Sequence, residues 1–309
     1  MNTAIRVRGL TKKFGDFTAV DHVDMDIPEN AVYGFLGPNG SGKTTAIRMM
    51  CGLLKPTAGQ IEVLGMQIPT QTEAIRLQVG YMTQRFSMYG DLTVKQNLKF
   101  IGKIMGVTGS RLKQRLADLV EEYKLEPIFE NFAGSLSGGQ KRRIALAAAT
   151  IHRPKLLLLD EPTSEVDPNT RRDFWDQLFL MCEQGTTILV TTHLMDEAER
   201  CHHLAVLNDG KKVADGTPDS LKNEMNAVTM EISGSHIPAI KEQVNKLQPV
   251  LSATQVGVHL RVLLDTTLPQ PEQWLTEQLS SFGDTLIKST EPNIEDVFVM
   301  ATRDNESVG

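Results

Sequence analysis

Residues 37–44 read GPNGSGKT and stand between an apolar run, 31–36, and a helical pattern, 45–54. The spacing G-x-x-x-x-G-K-T puts glycines where backbone N–H groups must converge on an anion, at the positive end of the helix that follows. In that arrangement Gly37, Pro38, Asn39, Gly40, Ser41 and Gly42 form the cradle. Lys43 reaches the outer phosphates as a point charge, Thr44 puts its hydroxyl on Mg2+, and Thr45 adds a donor for the inner phosphate. The bland alternative is a glycine-rich turn that binds nothing; a strand before and a helix after favour the nucleotide.

Further residues of the right chemistry lie at the ends of predicted strands. Residues 155–160 read KLLLLD, which suits a fully buried parallel strand, and Asp160 and Glu161 fall at its carboxyl end, where open α/β sheets bind ligands. Adjacent acids ahead of Pro162 could simply signal a helix start. Aimed at a triphosphate, Asp160 would hold the metal directly or through water and Glu161 would polarise the attacking water. Gln84 ends the strand 79–84, as a cap or as a neutral Mg2+ ligand touching that water. His193 follows the β-branched strand 186–192 and either caps the next helix or donates to a phosphate oxygen, holding the water and Glu161 in line.

Residues 136–140 read LSGGQ and lead into KRRIALAAA, a strong helix with Ser137 as N-cap. Three cations in its first turn oppose the helix dipole by about 0.3–1 kcal/mol each. An anion would explain them; so would side chains lying back over the surface or pairing with nearby acids. Phe14, within KKFGDF, is either a loop plug or a platform for a purine.

The elements that must carry these residues follow from periodicity. Strands at 5–10 and 20–27 alternate apolar and polar residues, further short strands run at 60–64 and 79–84, and residues 93–132 are helical with Thr93 as a cap. Phe86, Met88, Tyr89 and Leu92 put large apolar groups in a loop, as a local core or a docking surface. Asp196, Glu197 and Glu199 sit in the first turns of a helix after His193, where acids belong. The expected organisation is an α/β nucleotide-binding domain over 1–224, with a helical subdomain over about 86–150, and a small α+β domain over 225–309 whose βαββαβ order is ferredoxin-like.

Composition narrows the function classes. With a net charge of −6 among 309 residues the chain lacks the basic face of a nucleic-acid binder. No run reaches the eighteen or so apolar residues that span a bilayer, and the first thirteen residues show no continuous apolar stretch of a signal peptide. A cytoplasmic protein is expected, with any membrane role carried by a separate subunit. Cys51, Cys182 and Cys201 are odd in number and in no C-x-x-C pair, which argues for reduced thiols.

Taken together, the motifs over residues 3–220 resemble the ATP-binding subunits of ABC transporters. Phe14 matches the adenine-stacking aromatic, GPNGSGKT the Walker A motif, Gln84 the Q-loop, LSGGQ the signature, LLLLDEP the Walker B motif with its glutamate, and His193 the switch histidine. The resemblance implies a P-loop NTPase core with an antiparallel β-subdomain, ATP and Mg2+ as ligands, and two subunits facing head to tail. Ser137, Gly138, Gly139 and Gln140 of one would meet the phosphates on the other, with Asp167 at the subunit contact. The second subunit would be another copy or a homologous ATPase. One departure is Glu165, where the family usually has glycine. The tail EPNIEDVFVMATRD resembles that of ATPases serving ABC-2-type exporters, which implies an ABC-2-type transmembrane permease as partner and a place on the inner face of the membrane. A soluble ABC ATPase acting on ribosomes or nucleic acid is the other reading; those usually carry two cassettes or long coiled coils, and this chain has one cassette and no heptad run.

Overall fold

Val7, Val23 and Met25 are buried between exposed polar or charged neighbours, and Ile5 and Ile27 are buried beside exposed Arg6 and Asp26, as in strands with one dry face. They lie on β1 (Thr3–Phe14) and β2 (Phe17–Pro28), an antiparallel hairpin turned at Gly15 and Asp16. The hairpin is longer than the alternation predicts, because its last rungs, Lys13 with Thr18 and Phe14 with Phe17, pair through backbone and need no buried side chains. Phe14 therefore stands on a strand end rather than in a loop. The computed structural model describes residues 2–164 and 166–306.

After the hairpin come β3 (Val32–Leu36), α1 (Lys43–Met50), β4 (Ala58–Val63), β5 (Met66–Ile68), α2 (Thr72–Arg76) and β6 (Val79–Met82). The helical block holds α3 (Val94–Ile104), α4 (Gly109–Glu122) and α5 (Gly138–Ala149), α3 opening with a Thr93–Gln96 capping box. Then follow β7 (Leu156–Asp160), α6 (Pro168–Glu183), β8 (Thr187–Thr192), α7 (Met195–Ala198), β9 (His203–Asn208) and β10 (Lys211–Gly216).

Two sheets result: β2-β1-β4-β5, antiparallel, and β10-β9-β3-β8-β7-β6, parallel from β9 to β6. The four leucines of β7 are buried on both faces. Leu156 and Leu158 join the core formed with α1 and the antiparallel sheet; Leu157 and Leu159 join the one formed with the helical block and α6. Each such side chain contributes about 1.5–3 kcal/mol of burial, which anchors the strand that ends in Asp160.

A second compact unit spans Gly216–Gly309. It contains α8 (Pro218–Asn223), β11 (Ala227–Ser233), α9 (Ile237–Val244), β12 (Val250–Val256), β13 (His259–Asp265), α10 (Pro271–Gln278), β14 (Leu286–Ser289) and α11 (Ile294–Glu306). Its antiparallel sheet runs β12-β13-β11-β14, the order of a βαββαβ unit. Met230, Ile232, Leu260, Val262 and Ile287 pack with Ile240, Val244 and Leu275 from α9 and α10. The division falls between Asp215 and Gly216 and not between 224 and 225, because α8 packs on α11 of the second unit. Among the described residues no helix is long and apolar enough to cross a membrane.

Candidate active site

β3 delivers the chain into residues 37–42 and α1 takes it away. Gly40 (φ 87°) and Gly42 (φ 99°) adopt the left-handed conformation, and a Cβ on Gly42 would lie 2.4 Å from the Ala19 carbonyl oxygen, so β2 is pressed against the loop. α1 starts behind Gly42 without a side-chain cap, which leaves its first N–H groups to an anion. Lys43 is buried; its Nζ donates to the carbonyls of Gly37 (2.7 Å) and Pro38 (2.9 Å) and lies 3.7 Å from Glu161 Oε1. Burial pulls its pKa below the usual lysine range, with Glu161 and Asp160 opposing. Ser41 Oγ is buried without a hydrogen-bond partner among the described residues, and Thr44 and Thr45 follow on the first turn of α1.

Four expected residues meet at the carboxyl ends of β6, β7 and β8. Asp160 Oδ1 accepts from Thr191 (2.8 Å) and Thr44 (2.9 Å). Glu161 is buried at φ 45°, and its N–H donates to Thr191 Oγ1 at 2.9 Å. Glu161 Oε2 accepts from Gln84 Nε2 at 3.1 Å and lies 3.3 Å from His193 Nδ1, while Lys43 stands by its other oxygen. His193 is not a helix cap: the N-cap of α7 is Leu194, whose N–H goes to Thr192 Oγ1.

The site's oxygen donors fit a hard divalent cation. Burial raises the Asp160 pKa, against the opposing hydrogen bonds of Thr191 and Thr44, and a cation beside the carboxylate would favour its charged form. The Thr44 hydroxyl, the Asp160 carboxylate and the Gln84 amide oxygen are ligands of the kind Mg2+ takes alongside phosphate and water. Among the described residues no cluster of three or more His, Cys, Asp or Glu forms a metal cage.

Other expected residues lie apart from the loop. Ser137 and Gln140 form a capping box that starts α5, which engages the Gln140 amide within its own helix. Gly138 is exposed, and a Cβ on Gly139 would meet Thr170 at 3.1 Å. Asp167 caps α6 through the N–H groups of Asn169 and Thr170, and the hydrogen bond from the Thr170 side chain, first among its partners, holds its pKa below the usual carboxylate range. No hydrogen bond or ion pair joins Ser137, Gly138, Gly139, Gln140 or Asp167 to residues 37–45 among the described residues. Phe14 is 50% exposed at the hairpin tip, with Lys12 Nζ 5.0 Å from its ring centre. Glu165 lies outside the described residues.

Two of the three cations at the start of α5, Lys141 and Arg142, have partners within the chain. Arg142 turns inward and donates to the Gln84 carbonyl (2.6 Å) and to Ser164 Oγ (3.4 Å), and Lys141 Nζ lies 5.6 Å from the Phe86 ring centre. Phe86 and Met88 line an apolar groove of about 240 Å³ with Met82, Ile101 and Met105, whereas Tyr89 is exposed and packs edge-on against Phe100. Sequence reasoning missed Thr191, Thr192, Thr163 and the inward turn of Arg142, and read Glu197 only as a helix-start acid. The usable signal was a run of threonines at a strand end beside two acids.

Comparison with known proteins gives the family of the chain. Residues 20–164 match the ABC transporter family. The chain is 48% identical over 220 residues to the probable multidrug ABC transporter ATP-binding protein YbhF of Escherichia coli; the match covers 71% of this chain and spans 38% of that relative's length. It is 34% identical over 305 residues to Nod factor export ATP-binding protein I of Cupriavidus metallidurans, covering 98% of each. Among solved structures, the ATP binding subunit of an ABC transporter superposes with a TM-score of 0.66 at 26% identity, covering 72% of this chain and 93% of that one. The dimeric structure of MJ0796, a bacterial ABC transporter cassette, does so with 0.64 at 27%, covering 69% and 98%.

Proposed function

The chain belongs to the ATP-binding proteins of the ABC transporter family, and from that premise we propose that it hydrolyses MgATP to power export of a small molecule through separate permease subunits. The observation that carries the chemistry is the convergence of Gln84, His193 and Lys43 on the buried carboxylate of Glu161.

The phosphate loop binds the triphosphate through its N–H groups, and Lys43 trades the carbonyls of Gly37 and Pro38 for phosphate oxygens. Thr44, Asp160 and Gln84 would hold Mg2+, which when bound neutralises phosphate charge. Glu161 accepts a proton from the attacking water as its oxygen bonds to the γ-phosphorus and ADP departs. His193 and Gln84 hold that carboxylate and the water in line. Phe14 stacks on the base.

Two ATPase subunits, this chain paired with a copy of itself or a homologue, complete each site. Ser137, Gly138, Gly139 and Gln140 of one face the nucleotide on the other, with Asp167 at the contact. The exposure of Ser137 and Gly138, their separation from the chain's own loop, and the dimeric MJ0796 relative support this arrangement. The groove at Phe86 and Met88 is the docking place for an ABC-2-type permease, which would hold the protein on the inner face of the membrane; the names of the export relatives support the direction of transport. Glu161→Gln should bind ATP with near-parental affinity and lose about 100-fold or more in kcat. Hydrolysis at the parental rate would remove Glu161 as the base.

A further inference from the structure

Glu197 is 1% exposed, and the hydrolysis scheme above has no use for it. Its Oε1 accepts the Thr163 hydroxyl and lies 3.5 Å from Arg171 Nε; its Oε2 accepts the Thr192 hydroxyl at 2.6 Å. Each partner belongs to a different working segment. Thr163 follows Glu161 by two residues, Thr192 immediately precedes His193, and Arg171 lies on α6, the helix capped by Asp167. Thr192 is engaged twice more: its hydroxyl accepts the Leu194 N–H at 3.0 Å, and its carbonyl accepts the Gly37 N–H at 3.3 Å.

Fold stability gives little reason for this side chain. A buried carboxylate with one cation 3.5 Å away is no better than apolar filling of the same shape. What a carboxylate adds is acceptor capacity on two oxygens, so that hydroxyl donors from two segments, with a cation from a third close by, meet at one rigid group.

We propose that Glu197 is a positioning residue for hydrolysis: by holding Thr163 and Thr192 on its two oxygens it sets the separation of Glu161 and His193, and so the place of the attacking water. The inference rests on the hydrolytic reading of the site. Glu197 touches neither the water nor the nucleotide. It acts through backbone on either side of the residues that do, as catalytic geometry tolerates little slack.

The test uses the full chain with Glu197→Ala, Glu197→Gln and Thr163→Val/Thr192→Val, measuring kcat, ATP affinity, thermal midpoint and the His193 ring resonance in nucleotide-free protein, assigned from a His193→Gln spectrum. Glu197→Ala should lower kcat by about tenfold or more with ATP affinity within about twofold. Glu197→Gln, which keeps the shape and one acceptor oxygen, should recover part of that loss, and the double threonine variant should match Glu197→Ala. The His193 resonance should move in Glu197→Ala and in the double variant. Unchanged kcat, or kcat, affinity and thermal midpoint falling together without rescue by glutamine, would overturn the proposal. Should Glu197→Ala not fold, the glutamine and threonine variants decide. If the parent protein binds no ATP or does not hydrolyse it, the hydrolytic reading itself fails, and the His193 resonance alone then decides whether Glu197 positions that segment.

Discussion

Thr191 and Asp160 lie opposite each other on the parallel strands β8 and β7, and the Thr191 hydroxyl donates to Asp160 Oδ1 at 2.8 Å. The same hydroxyl accepts the N–H of Glu161, so one group orients two consecutive acids. It also steadies a glutamate backbone at φ 45°, a conformation that costs a non-glycine residue roughly 1–3 kcal/mol. Thr191→Val keeps the shape and removes both hydrogen bonds. It should lower stability by about 1–3 kcal/mol, since it strands buried polar groups, and lower kcat more than ATP affinity. Urea unfolding and steady-state hydrolysis check this; a variant with parental kcat would show that the hydroxyl does not orient the acids.

Lys43 makes the nucleotide-free protein sensitive to alkali in a defined direction. Burial holds its folded-state pKa below the ordinary 10.5. Between that lowered value and 10.5 the unfolded chain binds more protons than the folded one, so stability rises with pH through this window. Lys43→Met lacks the titrating group, and the wild type should therefore gain stability relative to the variant as pH rises toward lysine's ordinary value. Denaturant midpoints of both proteins across that range measure the trend, and a difference independent of pH would contradict it. Titration calorimetry should show the same variant binding ATP at least about tenfold more weakly, by loss of a charge-assisted contact.

In the second unit Asp296 is buried and accepts Arg261 Nε (2.8 Å), Arg261 Nη2 (2.6 Å) and the Asn293 N–H (2.9 Å). This fork fixes α11 to β13. Asp296→Ala leaves a half-buried guanidinium without its carboxylate and should destabilise that unit by about 3 kcal/mol, with ATP affinity unaffected. Calorimetry of the full chain should show a transition moved to lower temperature; an unshifted scan would mean that the pair contributes nothing.

The parts of the site legible in the sequence are those whose chemistry is local. The glycine loop, the acids after four leucines, Gln84 and His193 each announce themselves within a few residues, and strand-end positions suffice to bring them near one another. Thr191, Thr192 and Thr163 read only as strand or turn formers. Their hydroxyls acquire roles through the register of β7 against β8 and through Glu197, which are long-range facts absent from any short window. β5 is three residues long, too short to show a period, and α2 is five. The unit boundary moved for a similar reason: the helix Pro218–Asn223 has its partner in α11, some seventy residues further along the chain.

β6 is the outermost strand of its sheet and is held by β7 alone over four residue pairs, whereas β7 is clasped on both sides. Displacing the acids would tear two ladders; displacing Gln84, two residues beyond β6, tears one at most. Gln84 Nε2 reaches Glu161 Oε2 at 3.1 Å, so a shift of the segment after β6 would be felt first at that one hydrogen bond to the carboxylate. The acids thus sit on the better-anchored strand, and the amide that touches one of them sits beyond the less-anchored one.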